Sequence, residues 1–276
     1  MNDGPIAKTT EDIVEQPLNL EKDVSCTVCR ESKNLARHEL RADVDGRIVE
    51  LWQCMKCHAI LNMTDLKRVI SGDDDRSIQA MSSDDFYALT PEYIKDIDSK
   101  VSENKMIDFL IEQVPDLNTG SLIDFGAGRG ITAAAAARSF DRIYAVELTL
   151  NVLSEVHSHM PLRHKVSLHD SLASVPPGYD AIASMHVLEH LPNMRDLLEE
   201  LINDLNEGGV LFFQVPMLRN DYIVSVHYTF FNEICANYLA NDLGMDMIGV
   251  WFDTNLDFLT CIMRKPLSHI STLAAI

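Results

Sequence analysis

The 276-residue chain contains no apolar run near the roughly 18–20 residues that a bilayer-spanning helix needs. Its first residues, "MNDGPIAKTTEDIVEQ", lack the basic-then-apolar order of a secretory signal, so no membrane partner is expected and a cytoplasmic location is the default. Positive charge is also scarce. Lys and Arg total 23 against 42 Asp and Glu, a net charge of −19. Phosphate backbones are gripped by clustered cations, and no stretch supplies such a cluster, which argues against a nucleic-acid partner. No internal repeat is visible. Cysteine is sparse, yet four of the six fall in two pairs, Cys26/Cys29 and Cys54/Cys57. Without a secretory signal, such pairs hold a metal more often than they form disulfides. The remainder is ordinary for a globular chain: 46% of residues are hydrophobic, and the length suits one large domain plus a small one. Nothing in the composition specifies an oligomeric state.

Each C-x-x-C presents two thiolates from one tight turn, and two such turns complete a tetrahedral site with no open position. Between "CTVC" and "CMKC", the stretch "RHELRADVDGRIVELWQC" reads as two strands joined at "DVDG". The expectation is a zinc ribbon holding a structural zinc through Cys26, Cys29, Cys54 and Cys57; a rubredoxin-type iron site is the alternative. Val24–Asn62 carries six Lys/Arg against five Asp/Glu, so it offers no dense phosphate-binding face. Cys235 and Cys261 lie in apolar surroundings and read as core.

The chain divides into a leader (1–23), the ribbon (24–64), an acidic loop with connecting helices (65–105), an α/β domain (106–265) and a tail (266–276). "SGDDDRS" is a solvated loop, followed by helices over Ser83–Leu89 and Pro91–Val114. From Ser121 strands and helices alternate: "SLIDF", "RIYAVEL", "KVSLHD", "YDAIASMHV" and "GVLFFQVP" are strands. "NMRDLLEELINDL" is an amphipathic helix ended by Gly208 and Gly209. A helix over Phe231–Leu243 precedes two closing strands, "MDMIGVWFD" and "DFLTCIMRK". Near-continuous apolar strands imply a parallel sheet covered on both faces, with ligands at the C-terminal ends of its strands. The fold class is α/β: a doubly wound, Rossmann-like, mostly parallel sheet with a C-terminal antiparallel pair and a small N-terminal zinc ribbon.

"LIDFGAGRG" places Asp124, Gly126, Gly128 and Gly130 where the first of these strands meets its helix. Glycine accepts positive φ and lets a ligand approach the backbone. Glu147 ends the next strand, where a carboxylate can accept from a ribose diol, and Asp170 ends the third, within reach of an adenine amino group. A dinucleotide site would show G-x-G-x-x-G, whereas "GAGRGI" brings the third glycine one residue early. That spacing favours a ligand whose charged amino-acid end meets the turn.

Taken together, "LIDFGAGRG", "VEL", "HD" and "LNEGGVLFFQVP" resemble the ordered motifs of class I S-adenosylmethionine-dependent methyltransferases, over roughly Met106 to Lys265. "YDAIASMHVLEHLPN" and "VHYTFFN" resemble the branch with ubiquinone-pathway O-methyltransferases and sugar C-methyltransferases; the latter also carry a four-cysteine zinc unit. The resemblance implies S-adenosylmethionine as cofactor, contacted by Asp124, Gly126, Gly128, Glu147, Asp170, Ser171 and Met185. It implies a small-molecule methyl acceptor.

Methyl transfer asks the protein to align a nucleophile and take its proton. The candidates are His186, Glu189, His190 and His227. "EH" at 189–190 is expected to open the helix after the fourth strand of the domain, where Glu189 would serve either chemistry or the helix N-terminus. The resemblance associates an acid pair and a histidine here with a divalent metal, but His186 stands at the first acidic position and argues against one. His227 matches a histidine that faces substrate in that branch; packing is its other reading. Tyr228 and Phe231 line the same pocket or belong to the core. Two further functions stay open: an RNA or protein methyltransferase docked by the ribbon, and a non-catalytic cofactor-binding or adaptor protein.

Overall fold

The computed structural model describes residues 24–72 and 89–267. The helix expected over Ser83–Leu89 and most of the acidic loop therefore lie outside the described residues, except Leu89, Ser71 and Gly72. Eleven strands are described. β1 (Leu35–Ala42), β2 (Ile48–Cys54) and β3 (Ile60–Asn62) form an antiparallel unit at the N-terminal end. β4 (Ser121–Phe125), β5 (Arg142–Val146), β6 (Val166–His169), β7 (Tyr179–Met185) and β8 (Leu205–Pro216) are mutually parallel neighbours. β10 (Asp246–Asp253) and β11 (Phe258–Arg264) add an antiparallel pair to β8, giving the order β10-β11-β8-β7-β4-β5-β6. The chain leaves β4 in one direction for β5 and β6 and returns to its other side for β7. The strand order therefore reverses between β4 and β7, and in sheets of this kind ligands bind at the C-terminal ends of the strands at that point.

Side chains alternate across this sheet with the strand period of two. Leu122, Ile143 and Phe212 enter a core with α5 (Ile131–Ala136), whose run of small buried alanines lets it lie close to the strands. The neighbouring Ile123 and Phe213 enter the opposite core with α7 (Met194–Asn203) and α8 (Glu233–Asp242). Cys26, Cys54, Cys57 and Leu61 belong to that second core, so the cysteine unit shares its interior with the seven-stranded sheet.

Several expectations are corrected. The single helix over Pro91–Val114 is three: α2 (Pro91–Lys95), α3 (Ile97–Glu103) and α4 (Met106–Gln113). Asn104 makes the second break, because its side chain accepts from Met106 N and draws its own backbone into an extended conformation. α7 stops at Asn203, not at Gly208; Lys265 Nζ donates to the carbonyls of Ile202, Asn203 and Leu205, and the chain enters β8 at once. The β6–β7 connection has a 3-10 turn, Leu172–Ser174, in place of a covering helix. A hollow lined by Ile123, Leu172, Tyr179 and Leu201 opens there. Three elements were not expected: β3, α1 (Met63–Ser71), capped by Asn62, and β9 (Thr229–Phe230), which pairs with β3 and becomes the fourth strand of the ribbon sheet. α6 (Leu150–His159) follows β5 as expected.

Candidate functional site

The glycine turn sits where the sequence places it. Gly126 and Gly128 both take positive φ, 72° and 52°. The amides of Gly126 and Ala127 donate to Val146 O at 2.9 Å, tying the turn to the end of β5. Glu147 braces it from the side: its Oε2 accepts from Gly128 N at 2.8 Å, which holds the carboxylate against the turn. Asp124 is buried, and its Oδ2 has no hydrogen-bond partner. Desolvation, with the charge of Glu147 adding to it, pushes its carboxyl up to about 7, against the pull of the Ala133 amide. A buried carboxyl group with one oxygen unpartnered beside a glycine turn fits a cationic group arriving from outside. Asp170 and Ser171 are exposed at the end of β6, and Met185 is partly buried at the end of β7. The seven expected cofactor residues thus share one edge of the sheet. Arg129, next in the turn, stacks over Tyr93 of α2 at 4.5 Å.

Beyond β7, Glu189 and His190 do not open the following helix. They form a 3-10 turn, Leu188–His190, and α7 begins only at Met194 behind Asn193. Glu189 is therefore no helix cap. It is 1% exposed, and its Oε2 finds no partner. Three imidazoles surround it. His186 Nδ1 and His190 Nε2 stand 3.7 and 3.8 Å from Oε1, beyond hydrogen-bond distance. His190 and His227 stack with centroids 4.6 Å apart.

The tautomers follow from the backbone. His190 Nδ1 donates to Val226 O at 2.9 Å, and His227 Nδ1 donates to Tyr222 O at 2.7 Å, leaving both Nε2 atoms bare. Burial first, and then the neighbouring His190, lowers His227 to about 4. His186, in a left-handed conformation with φ 58°, instead turns Nε2 to Gln214 Oε1 at 3.1 Å. It lies against Phe258, where the sequence alone had no signal for a partner. One donor atom from each of Glu189, His190 and His227 lies within 4.8 Å of the others, a set able to hold a metal ion. The objection based on His186 thus loses force, because a more distant histidine replaces it in the set.

The four cysteines are gathered as the spacing predicts. Cys26 and Cys57 sulfurs are 3.5 Å apart, as are those of Cys29 and Cys54, and all four cysteines are free and buried. Sulfurs around a tetrahedral zinc at about 2.3 Å stand about 3.8 Å apart. The fit is close. Hydrogen bonds from Cys26 and Cys29 drive Cys54 well below the ordinary thiol value, whereas Cys57 is driven up, first by Cys235 and then by Cys26. Four crowded thiols cannot all ionise without a cation. Cys235, expected simply as core, is buried in this neighbourhood. Both turns are alike: Arg30 N donates to Cys26 O and His58 N to Cys54 O, each at 2.8 Å.

Comparison with known proteins supplies the class. Residues 98–245 match a family model described as "Methyltransferase domain", which is more than half of the 276-residue chain. The chain belongs to this methyltransferase family. A ubiquinone biosynthesis O-methyltransferase of Xylella fastidiosa (strain 9a5c) is 29% identical over 134 residues, 43% of this chain and 54% of that protein. An uncharacterized methyltransferase of Mycobacterium tuberculosis (strain H37Rv) is 31% identical over 133 residues, 45% of this chain and 66% of that protein. The chain therefore spans between about half and two thirds of these relatives. Among solved structures, the [4+2]-cyclase SpnF matches with a TM-score of 0.51 at 15% identity, covering 59% of this chain and 80% of that one. A chain from the complex of the Haloferax volcanii Trm112 methyltransferase activator with a methyltransferase matches at 0.52 and 13%, covering 64% and 96%. At those identities the likeness is one of fold, and a fold does not by itself dictate chemistry. No helix among the described residues is long and apolar enough to cross a membrane.

Proposed function

We propose that the chain binds S-adenosylmethionine along the edge formed by β4, β5 and β6 and transfers a methyl group to a hydroxyl or carbon of a small molecule, such as a sugar or other metabolite. The observation that carries this reading is the pair of carboxylates at the glycine turn: buried Asp124, whose Oδ2 has no partner, and the bracing Glu147. The family supports it, and the ubiquinone-pathway relatives illustrate a small-molecule acceptor.

When bound, the cofactor supplies a methyl group activated by its own sulfonium charge. The chain's residues do the rest. Asp124 would receive the ammonium of the amino-acid end, the second oxygen of Glu147 would accept from the ribose diol, and Asp170 and Ser171 would hold the adenine. Gly126 and Gly128 give the turn its positive φ, Gly126 also making room for Val187, and Met185 would pack beside the cofactor. On the acceptor side, His227 offers a bare Nε2 to the hydroxyl proton, with its orientation fixed through Tyr222 O. The buried Glu189 carboxylate stabilises the positive charge that His227 then carries. His190, and His186 at the mouth, complete the polar wall. Glu189, His190 and His227 could instead hold a divalent cation, and His227 Nε2 would then be a ligand and not the base.

The four cysteines hold a structural zinc in this reading. Their burial in the core shared with α7 and α8 favours a scaffold over an independent docking module. Calorimetric titration with S-adenosylhomocysteine tests the cofactor edge. Glu147→Ala should weaken binding by roughly 1.5–3 kcal/mol, the range for a charged hydrogen bond. An unchanged affinity removes Glu147 from the site, and a wild-type protein that binds neither form of the cofactor ends the enzyme reading.

A further inference from the structure

Between β8 and α8 runs the segment 217–232, which carries His227. One of its sides is held by the methyltransferase domain: Tyr228 N donates to Glu189 O at 2.8 Å, and His190 Nδ1 donates to Val226 O. Its other side is held by the ribbon. Val44 N donates to Ile223 O at 3.1 Å, and Asn62 N to Tyr228 O at 3.0 Å. β9 pairs with β3 in the register Ile60↔Phe230 and Leu61↔Thr229. Asn232, which caps α8 through Cys235 N, donates from Nδ2 to His58 O at 2.8 Å. Val49 and Leu51 of β2 form a small buried core with Ile223 and Phe230. The Thr27 hydroxyl, between the first two cysteines, meets the Thr229 hydroxyl at 2.6 Å in a buried contact.

The bonds from Thr27, His58, Asn62 and β3 issue from the two cysteine turns or from the strand that follows the second; Val44 reaches the segment from the β1–β2 hairpin turn, and Val49 and Leu51 from β2, which runs into Cys54. Arg30 and His58, each the residue after a second cysteine, take φ of 59° and 64°. That conformation is costly for side-chain-bearing residues and needs surrounding structure to hold it. His58 O, Ala59 and β3 follow directly from the second turn, and Thr27 lies inside the first. The cofactor edge is tied differently, by Gly126 and Ala127 to Val146 O and by Glu147 N to His169 O.

We infer that the four-cysteine unit shapes the acceptor half of the site: Thr27, acting through Thr229, positions the His227 segment, and emptying the cysteine site loosens that segment while the cofactor edge stays intact. The inference rests on the methyl-transfer reading for what the segment does, but its geometry stands separately.

Hydrogen exchange on the full chain, with the metal it carries when purified, tests it. Thr27→Val should raise exchange over residues 222–230 on the order of tenfold, the loss of one hydrogen bond. Thr27→Ser should restore protection, because it returns the hydroxyl. In Thr27→Val the metal content should be unchanged, and S-adenosylhomocysteine affinity should stay within about twofold, as for an independent distant site. Should Thr27→Val fail to fold, treating the wild type with a chelator gives the same readout: faster exchange over 222–230 with β4 and β5 still protected. Unchanged exchange over 222–230, or loss of protection throughout the sheet together with weaker cofactor binding, overturns the inference. A wild-type chain that does not bind S-adenosylhomocysteine sinks the methyl-transfer reading instead and leaves the exchange result to be judged alone.

Discussion

Gly126→Ala is the substitution whose outcome the structure constrains most tightly. Gly126 has φ 72°, and a Cβ added there would lie 2.3 Å from Val187 Cγ2 and 3.0 Å from Cγ1. The left-handed conformation costs an alanine about 1–2 kcal/mol. Displacing a branched side chain at that distance adds about 1–3 kcal/mol of overpacking. The expected loss of stability is therefore about 2–5 kcal/mol, before any ligand is considered. Val187→Ala removes the obstructing methyls but leaves the backbone cost, so the double variant should recover only the overlap part. Urea midpoints of wild type, both single variants and the double variant give the coupling energy, expected at about 1–3 kcal/mol in favour of the double. A coupling below about 0.5 kcal/mol would refute the clash as the reason for glycine here. S-adenosylhomocysteine titration of the double variant then reports what Gly126 does for the ligand alone.

Asp124 has a folded value of about 7, above its ordinary 3.8, so the folded chain keeps a proton that the unfolded chain has already released. Stability contributed at this position is full below about pH 4 and falls as pH rises toward 7. Relative to Asp124→Asn, the wild type should lose ground over that window in urea unfolding; a constant difference would contradict it. His227, lowered to about 4, should stay neutral through the physiological range, and stability linked to it should fall only as pH drops from about 6.5 toward 4. An NMR titration with a midpoint near 6.5 would show that the ring is not buried as described. Metal analysis of protein purified with reduced thiols should find about one zinc per chain in the cysteine site. Cys54→Ser should lower that content. Protein that keeps its thiols and fold without metal would remove zinc from the account.

Local pattern made much of this protein legible. The apolar run before Asp124, the alternate glycines and the carboxylates ending the next two strands sit on one edge, because strand period and turn chemistry act over a few residues. Two C-x-x-C pairs bring four sulfurs together for the same reason. Where pattern failed, a competing contact from elsewhere in the chain or a single side chain decided the outcome. Asn104 broke a helix whose hydrophobic period continued through it, and Lys265, more than sixty residues further along the chain, ended α7. The 3-10 turn that buries Glu189 replaced the expected helix start.

The sequence by itself determined the class of fold, the residues of the glycine-turn edge and the cysteine cluster, since each depends on residues close in the chain or on strand order. Only the tertiary structure brought His227 beside Glu189 and His190, left one oxygen of each of the buried Asp124 and Glu189 carboxyl groups without a partner, and joined β9 to the ribbon. Those approaches span dozens to hundreds of residues and are set by how two hydrophobic cores close over one sheet, a sum of many small packing terms that no local spacing records.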